Sequence, residues 1–240
     1  MEVLKVDRRD AADVLTQGNA AIIDDFLDAE TSNEFSRAAI ESWKRNSDPG
    51  TGWNLCIKSG DINRRIPTSK LASNENIKRI FDACSFDPFR YWYYSCFASP
   101  GKIPASHSLN VHLIKEIETA LLKAGLKEIC DNVQIDVGAV EPRFSITSFD
   151  PLSFIDPHSD FLKEGKGHYI ITVLYYLAGP SDEEYGGELV FSRTVPAAKI
   201  KPIQNRLVLF RPSADSIHHV VPNSSSGNYR LAFSGWFAQP

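Results

Sequence analysis

Residues 168–177 read HYIITVLYYL. The run is rich in β-branched and aromatic residues and predicts a strand. The same texture recurs on both sides of it: VQIDVGAV (133–140), RFSITSF (143–149), GELVFS (187–192), RLVLFR (206–211), IHHVV (217–221) and YRLAFSGWF (229–237). No segment of helical length and period intervenes. Short strands at this spacing predict an all-β sandwich or barrel rather than a parallel βαβ sheet. Upstream the pattern changes. Thr31 and Glu34 form a capping pair ahead of Phe35, Ala38, Ala39, Ser42 and Trp43 on one helical face. Residues 46–52 (NSDPGTG) read as a loop. Residues 74–84 predict a helix through Ile77, Ile80, Phe81 and Cys84. Residues 89–98 (FRYWYYSCFA) predict a strand. Residues 106–130 predict a long amphipathic helix with Leu109, Leu113, Ile117, Ala120, Leu121 and Ala124 in its stripe and Gly125 near its end. The expectation is an α+β chain, one domain over 1–240: helical support and a substrate-lid region in 1–130, and a β core in 131–240.

Composition narrows the function. The 240 residues carry 26 Lys+Arg against 30 Asp+Glu, a net charge of −4, which lacks the basic surplus of nucleic-acid binding. No apolar run approaches the roughly 20 residues that span a bilayer. The first 13 residues mix four acids with three bases and contain no apolar signal-type core. Cys56, Cys84, Cys96 and Cys130 form no CxxC pair and are read as reduced thiols of a cytoplasmic protein. A chain of this length needs no disulfide to hold its core.

The six histidines carry the chemistry. In His158-Ser159-Asp160, positions i and i+2 share one face of a strand, so an imidazole and a carboxylate can converge on a divalent metal. His218-His219 on another predicted strand offers a third ligand. Arg230, Ala232 and Ser234 share a face of the last strand. An Arg inside an apolar sandwich requires a partner, and its planar guanidinium suits a carboxylate.

Taken in order, PHSDF (157–161), TVLYYL (172–177), GGELVF (186–191), RLVLFRP (206–212), HHVVP (218–222) and YRLAFSGWF (229–237) resemble the Fe(II)- and 2-oxoglutarate-dependent oxygenases, in particular their prolyl-4-hydroxylase-like branch. The resemblance implies a double-stranded β-helix (a jelly-roll, cupin-like sandwich) and an oxygenase using Fe(II), 2-oxoglutarate and O2, with ascorbate as a possible reductant. It assigns His158, Asp160 and His218 to iron, with His219 on the opposite face of its strand. It assigns Arg230 to the distal carboxylate of 2-oxoglutarate, with Tyr176 and Ser234 as hydrogen-bond partners. Many relatives carry a Tyr nine residues before the first His; here that residue is Phe149, and Thr147 on the same face is the candidate substitute. The retained Asp160 favours hydroxylation over halogenation, with desaturation or cyclisation open. Trp236 occupies the place of a second Arg found in alkylated-base repair enzymes. No peptide-binding module is appended, so a small molecule is the preferred substrate and a prolyl or peptidyl side chain the alternative; a non-catalytic metal-binding sandwich is the remote third reading. The aromatic run 89–97 and residues 50–67, with Trp53, Arg64 and Arg65, are a candidate pocket lid, and Arg143 a candidate contact for a substrate carboxylate. The oligomeric state is left open.

Overall fold

The computed structural model describes residues 1–48, 50–71, 79, 89–97, 109–151, 153–161, 168–179, 186–222 and 230–240. The C-terminal half is a run of strands, as its texture predicts: β6 (Glu141–Phe149), β7 (Phe154–His158), β8 (Tyr169–Ala178), β9 (Leu189–Phe191), β10 (Ala198–Ile200), β11 (Leu207–Phe210), β12 (His218–Val220) and β13 (Arg230–Ala238). Five further strands come from the N-terminal half: β1 (Val3–Lys5), β2 (Ala20–Ile23), β3 (Trp53–Ser59), β4 (Ile62–Pro67) and β5 (Tyr91–Phe97). The strand order is β1-β2-β11-β8-β13-β6-β5-β7-β12-β9-β10, with β3 and β4 branching from β5. The expected α+β double-stranded β-helix is therefore the observed fold.

Strand β5 is the seam. One of its edges pairs with β3 from end to end. The other is shared, Tyr94–Phe97 with β6 and Tyr91–Trp92 with β7. Through β5 the broad sheet β1-β2-β11-β8-β13-β6 turns over into the narrow sheet β7-β12-β9-β10. Between the two sheets lies an apolar layer of Phe149, Leu174, Tyr176, Leu189, Phe191, Val208, Phe210, Val220 and Ala232.

The outer face of the broad sheet is covered by helices. Strand β8 is buried along most of its length because both its faces are used: Ile171, Val173, Tyr175 and Leu177 pack in the outer cluster, and Leu174 and Tyr176 in the inner one. Helix Ala29–Lys44 begins earlier than its sequence suggests. Asp28, not Thr31, is the cap, and its carboxylate accepts the Thr31 amide at 2.9 Å. Helix Leu109–Leu121 buries Leu113, Ile114, Ile117 and Leu121. Gly125 lies inside the helical region, in a wide turn with φ 125°, and helix Lys127–Asn132 follows.

One expectation is corrected. Residues 133–140 do not form a strand: Gln134 takes a left-handed conformation, and the Gly138 amide donates to Asp136 Oδ1 at 2.8 Å. Their apolar alternation belongs to turns that bury Val133 and Ile135 beneath the preceding helix end. The lid candidate 50–67 is a β-hairpin, β3–β4, whose register pairs Cys56 with Arg65 and Lys58 with Asn63. The expected helix at 74–84 and the start of the 106–130 helix, with His107, lie outside the described residues apart from Arg79.

Gly235 on β13 opposes Phe144 on β6. A Cβ there would lie 2.0 Å from the Arg143 carbonyl oxygen, with φ at 156°. Backbone cannot yield as a flexible side chain does. Gly235→Ala is expected to destabilise the fold by roughly 2–4 kcal/mol, read from urea unfolding.

Candidate active site

His158 is the last residue of β7 and His218 the first of β12, and the two strands place them directly opposite each other. Their rings are 4.4 Å apart between centroids. Asp160 lies two residues beyond the end of β7 rather than on the strand, and its side chain still turns back to both rings. Oδ1 is 3.6 Å from His158 Nε2, and Oδ2 is 3.7 Å from His218 Nε2. The three donor atoms lie within 4.8 Å of one another.

Both histidines are held in one tautomer. His158 Nδ1 donates to the Asp156 carbonyl at 2.9 Å, and His218 Nδ1 to the Ser216 carbonyl at 2.8 Å. A carbonyl only accepts, so in each neutral ring the proton sits on Nδ1 and the Nε2 lone pair faces the other two donors. His218 packs against Phe191 and Phe210, and burial keeps it neutral by holding its pKa below the ordinary value. Burial also disfavours charge on His158, but the Asp160 carboxylate outweighs that and raises it. Burial pushes the Asp160 carboxyl up; the histidines and an indole donor together overcome this and hold it below the usual range. His219 faces away as expected, half-buried and in contact with Ser192 Oγ through Nδ1.

The indole belongs to Trp236. Its Nε1 donates to Asp160 Oδ2 at 3.0 Å, and the ring stacks on Tyr169 with centroids 4.3 Å apart. Thr172 Oγ1 donates to the same oxygen at 3.4 Å. These bonds occupy Oδ2 and leave Oδ1 as the freer ligand atom. Sequence reading missed this function of Trp236, although it shares the strand face of Arg230, Ala232 and Ser234 by period-two alternation. Trp236→Phe keeps the stacked ring and deletes the donor. It is expected to weaken metal affinity about 10-fold, measured by metal titration with the fold checked by thermal unfolding.

The triad opens into a cavity of about 120 Å³ with largely apolar walls, including Leu174, Leu189, Phe210 and Val220. Arg230 and Ser234 line it from β13, and Ser145, Thr147 and Phe149 from β6. Arg230 is 2% exposed. Its guanidinium sits 4.6 Å from the Phe149 ring centroid and 5.0 Å from that of Tyr176. Among the described residues no carboxylate pairs with it, and its Nε and the buried Tyr176 hydroxyl both lack hydrogen-bond partners. A buried cation beside an unused phenol is costly unless an anion completes it, and a ligand carboxylate does so with matched geometry. Thr147 Oγ1 donates to the Ala232 carbonyl at 3.3 Å and lies 3.4 Å from Ser234 Oγ. Tyr93, in the 89–97 run read as a candidate lid, stacks on Phe149 with centroids 5.5 Å apart and planes within 5°. It lines the same cavity, and burial holds its phenol protonated far above the ordinary range. A phenol thus stands beside the position where Phe149 lacks one. Arg143 is not in this cavity; it pairs with Glu141 at 2.7 Å on the surface.

A family profile described as the 2OG-Fe(II) oxygenase superfamily matches residues 144–238, the span that contains both histidines, Asp160 and Arg230. The C-terminal part of the chain is thus similar to that superfamily. The chain is an oxygenase, and the superfamily implies Fe(II) and 2-oxoglutarate as its cofactor and cosubstrate. The donor set fits the iron: two neutral imidazoles and one carboxylate suit a borderline divalent ion. The unpaired Arg230 and Tyr176 fit a dicarboxylate. A Pseudomonas putida prolyl-4-hydroxylase superposes with a TM-score of 0.59 at 17% identity, over 98% of this chain and 100% of that one. A Trichoplax adhaerens prolyl hydroxylase, solved with a peptide fragment of the hypoxia-inducible factor oxygen degradation domain, gives 0.59 at 16%, over 97% and 89%. A Burkholderia pseudomallei oxidoreductase of the 2OG-Fe(II) oxygenase family gives 0.58 at 15%, over 97% and 91%. No curated protein matches the chain.

These likenesses overturn the preference for a small-molecule substrate. That preference rested on the lack of an appended peptide-binding module. The Pseudomonas putida prolyl-4-hydroxylase is covered over its whole length by this chain, so the absence of such a module carries no weight against a peptide. No helix among the described residues is long and apolar enough to cross a membrane.

Proposed function

We propose that this oxygenase hydroxylates a side chain of a peptide or protein, with proline the first candidate residue. The observation that carries the reading is that His158, Asp160 and His218 converge on the cavity that also buries the unpaired Arg230. When bound, iron and 2-oxoglutarate supply with O2 the oxidation of a C–H bond to an alcohol, coupled to loss of CO2 and formation of succinate. In this reading His158, Asp160 and His218 would hold the iron, each through one donor atom. Arg230 and the Tyr176 hydroxyl receive the distal carboxylate of 2-oxoglutarate. Ser234 and Thr147 offer hydroxyls along the same wall. Phe149, Leu174 and Phe210 keep the cavity dry, which strengthens the Arg230–carboxylate attraction. The relatives support the peptide substrate by what they are, two prolyl hydroxylases, one with a peptide in its complex.

The test is incubation with Fe(II), 2-oxoglutarate, ascorbate and a library of proline-containing peptides. Succinate should form in step with a gain of about 16 Da on the peptide, and both should vanish without iron. Succinate tied to no peptide, or no succinate at all, would remove this reading.

A further inference from the structure

The face of the broad sheet that lines the cavity does not stop at the sandwich. On β6 it carries Ser145 and Thr147, whose register partners on β5 are Phe97 and Ser95. By alternation Tyr91 and Tyr93 share that face of β5. They oppose Lys58 and Cys56 of β3, which in turn oppose Asn63 and Arg65 of β4. One continuous surface thus runs from the cavity wall out to the hairpin, where β4 pairs with β3 alone among the described strands.

At its outer end stands Arg65. The side chain is exposed, and its guanidinium lies 4.0 Å from the centroid of Phe97, a cavity-lining residue. Tyr91 is tied to the same hairpin by a 3.0 Å bond from its hydroxyl to Asn63 Oδ1. Stacking fixes the guanidinium plane and leaves its N–H edge to solvent. Among the described residues no acidic side chain pairs with Arg65, nor with the equally exposed Arg64 beside it. A protein with net charge −4 thus carries, at a residue stacked on its cavity wall, positive charge that no described acidic side chain pairs.

We infer that Arg65, held on Phe97, is a specificity-determining residue that binds an acidic side chain of the peptide substrate. The guanidinium rests on Phe97 at the rim of the cavity, whereas His158 and His218 stand on β7 and β12, so the side chain that meets Arg65 is not that of the oxidised residue. This inference rests on the peptide reading given above for the same site.

The experiment uses 12-residue peptides centred on proline, each with Glu, Gln or Lys placed in turn two to five residues from it. Turnover is measured for the native protein and for Arg65→Gln, Arg65→Lys and Arg65→Glu. The native protein should favour Glu over Lys at one of these positions by about 3- to 10-fold in kcat/KM, with the difference in KM. Arg65→Gln should erase the preference, Arg65→Lys retain part of it, and Arg65→Glu reverse it. Oxidation of Glu, Gln and Lys peptides alike, or a preference that survives Arg65→Gln, overturns the inference and leaves peptide hydroxylation standing. If no peptide is oxidised by any of the four proteins, the peptide reading itself fails, and the inference with it.

Discussion

Alanine in place of His158, Asp160 or His218 is expected to abolish stoichiometric iron binding and to lower turnover by roughly 10³-fold or more. The geometry leaves little slack. Each side chain contributes one donor to a cluster within 4.8 Å, and two donors cannot enforce the same coordination. His219→Ala is the matched control, because that ring points to Ser192 and away from the cluster. Loss of iron in His219→Ala with retention in His218→Ala would reverse the strand register on which the assignment rests. The pH dependence has a definite sign. Asp160 is held ionised and His218 neutral in the range where proteins are handled. His158 is the one ligand whose affinity for a proton is raised. Iron must displace that proton, so iron affinity should fall as pH drops through the raised value, approaching about tenfold per unit below it. An anaerobic Fe(II) titration between pH 5 and pH 8 checks this.

The second large effect separates binding from folding. Arg230→Met is expected to weaken 2-oxoglutarate binding by about 10²-fold, since it removes a charge-assisted pair inside a dry cavity. The same substitution should leave the ligand-free fold as stable or more stable, by about 1–3 kcal/mol. In the ligand-free state Arg230 is a buried cation whose Nε has no partner, and a thioether of similar length fits between Phe149 and Tyr176 without that penalty. Thermal unfolding with and without 2-oxoglutarate reads both quantities, because a ligand that binds only the native state raises the midpoint. Loss of the ligand-induced rise without loss of the basal midpoint is the expected pattern. A basal drop of several degrees would make Arg230 a structural residue instead.

What was legible in the sequence was local or carried by order. Strands β6, β8, β11, β12 and β13 stand out by composition. The triad and Arg230 stand out because HSD, HHVVP and YRLAF follow one another with turn residues between. What was illegible depends on pairing across long gaps. Nothing in FRYWYYSCFA shows that half of it joins one sheet and half the other, since β6 and β7 lie about fifty residues downstream. The stacking of Tyr93 on Phe149 was hidden for the same reason: it exists only once β5 lies beside β6. Residues 133–140 misled because alternating apolar residues look the same whether buried by a sheet or by turns under a helix end. Trp236 was visible only as a departure from repair enzymes, and its bond to Asp160 needs the end of β7 and the middle of β13 side by side.

The strand pairings also set a timetable. Strand β2, near the start of the chain, has β11 as its antiparallel neighbour, and β7 meets β12 only across the fold. During synthesis the N-terminal strands emerge long before these partners exist, and contacts of such long span form late. His218 is made after nine-tenths of the chain, and β13, with Arg230 and Trp236, follows it. A nascent chain therefore has neither the complete cluster nor its anion-binding Arg, which makes metal loading an event of the finished protein.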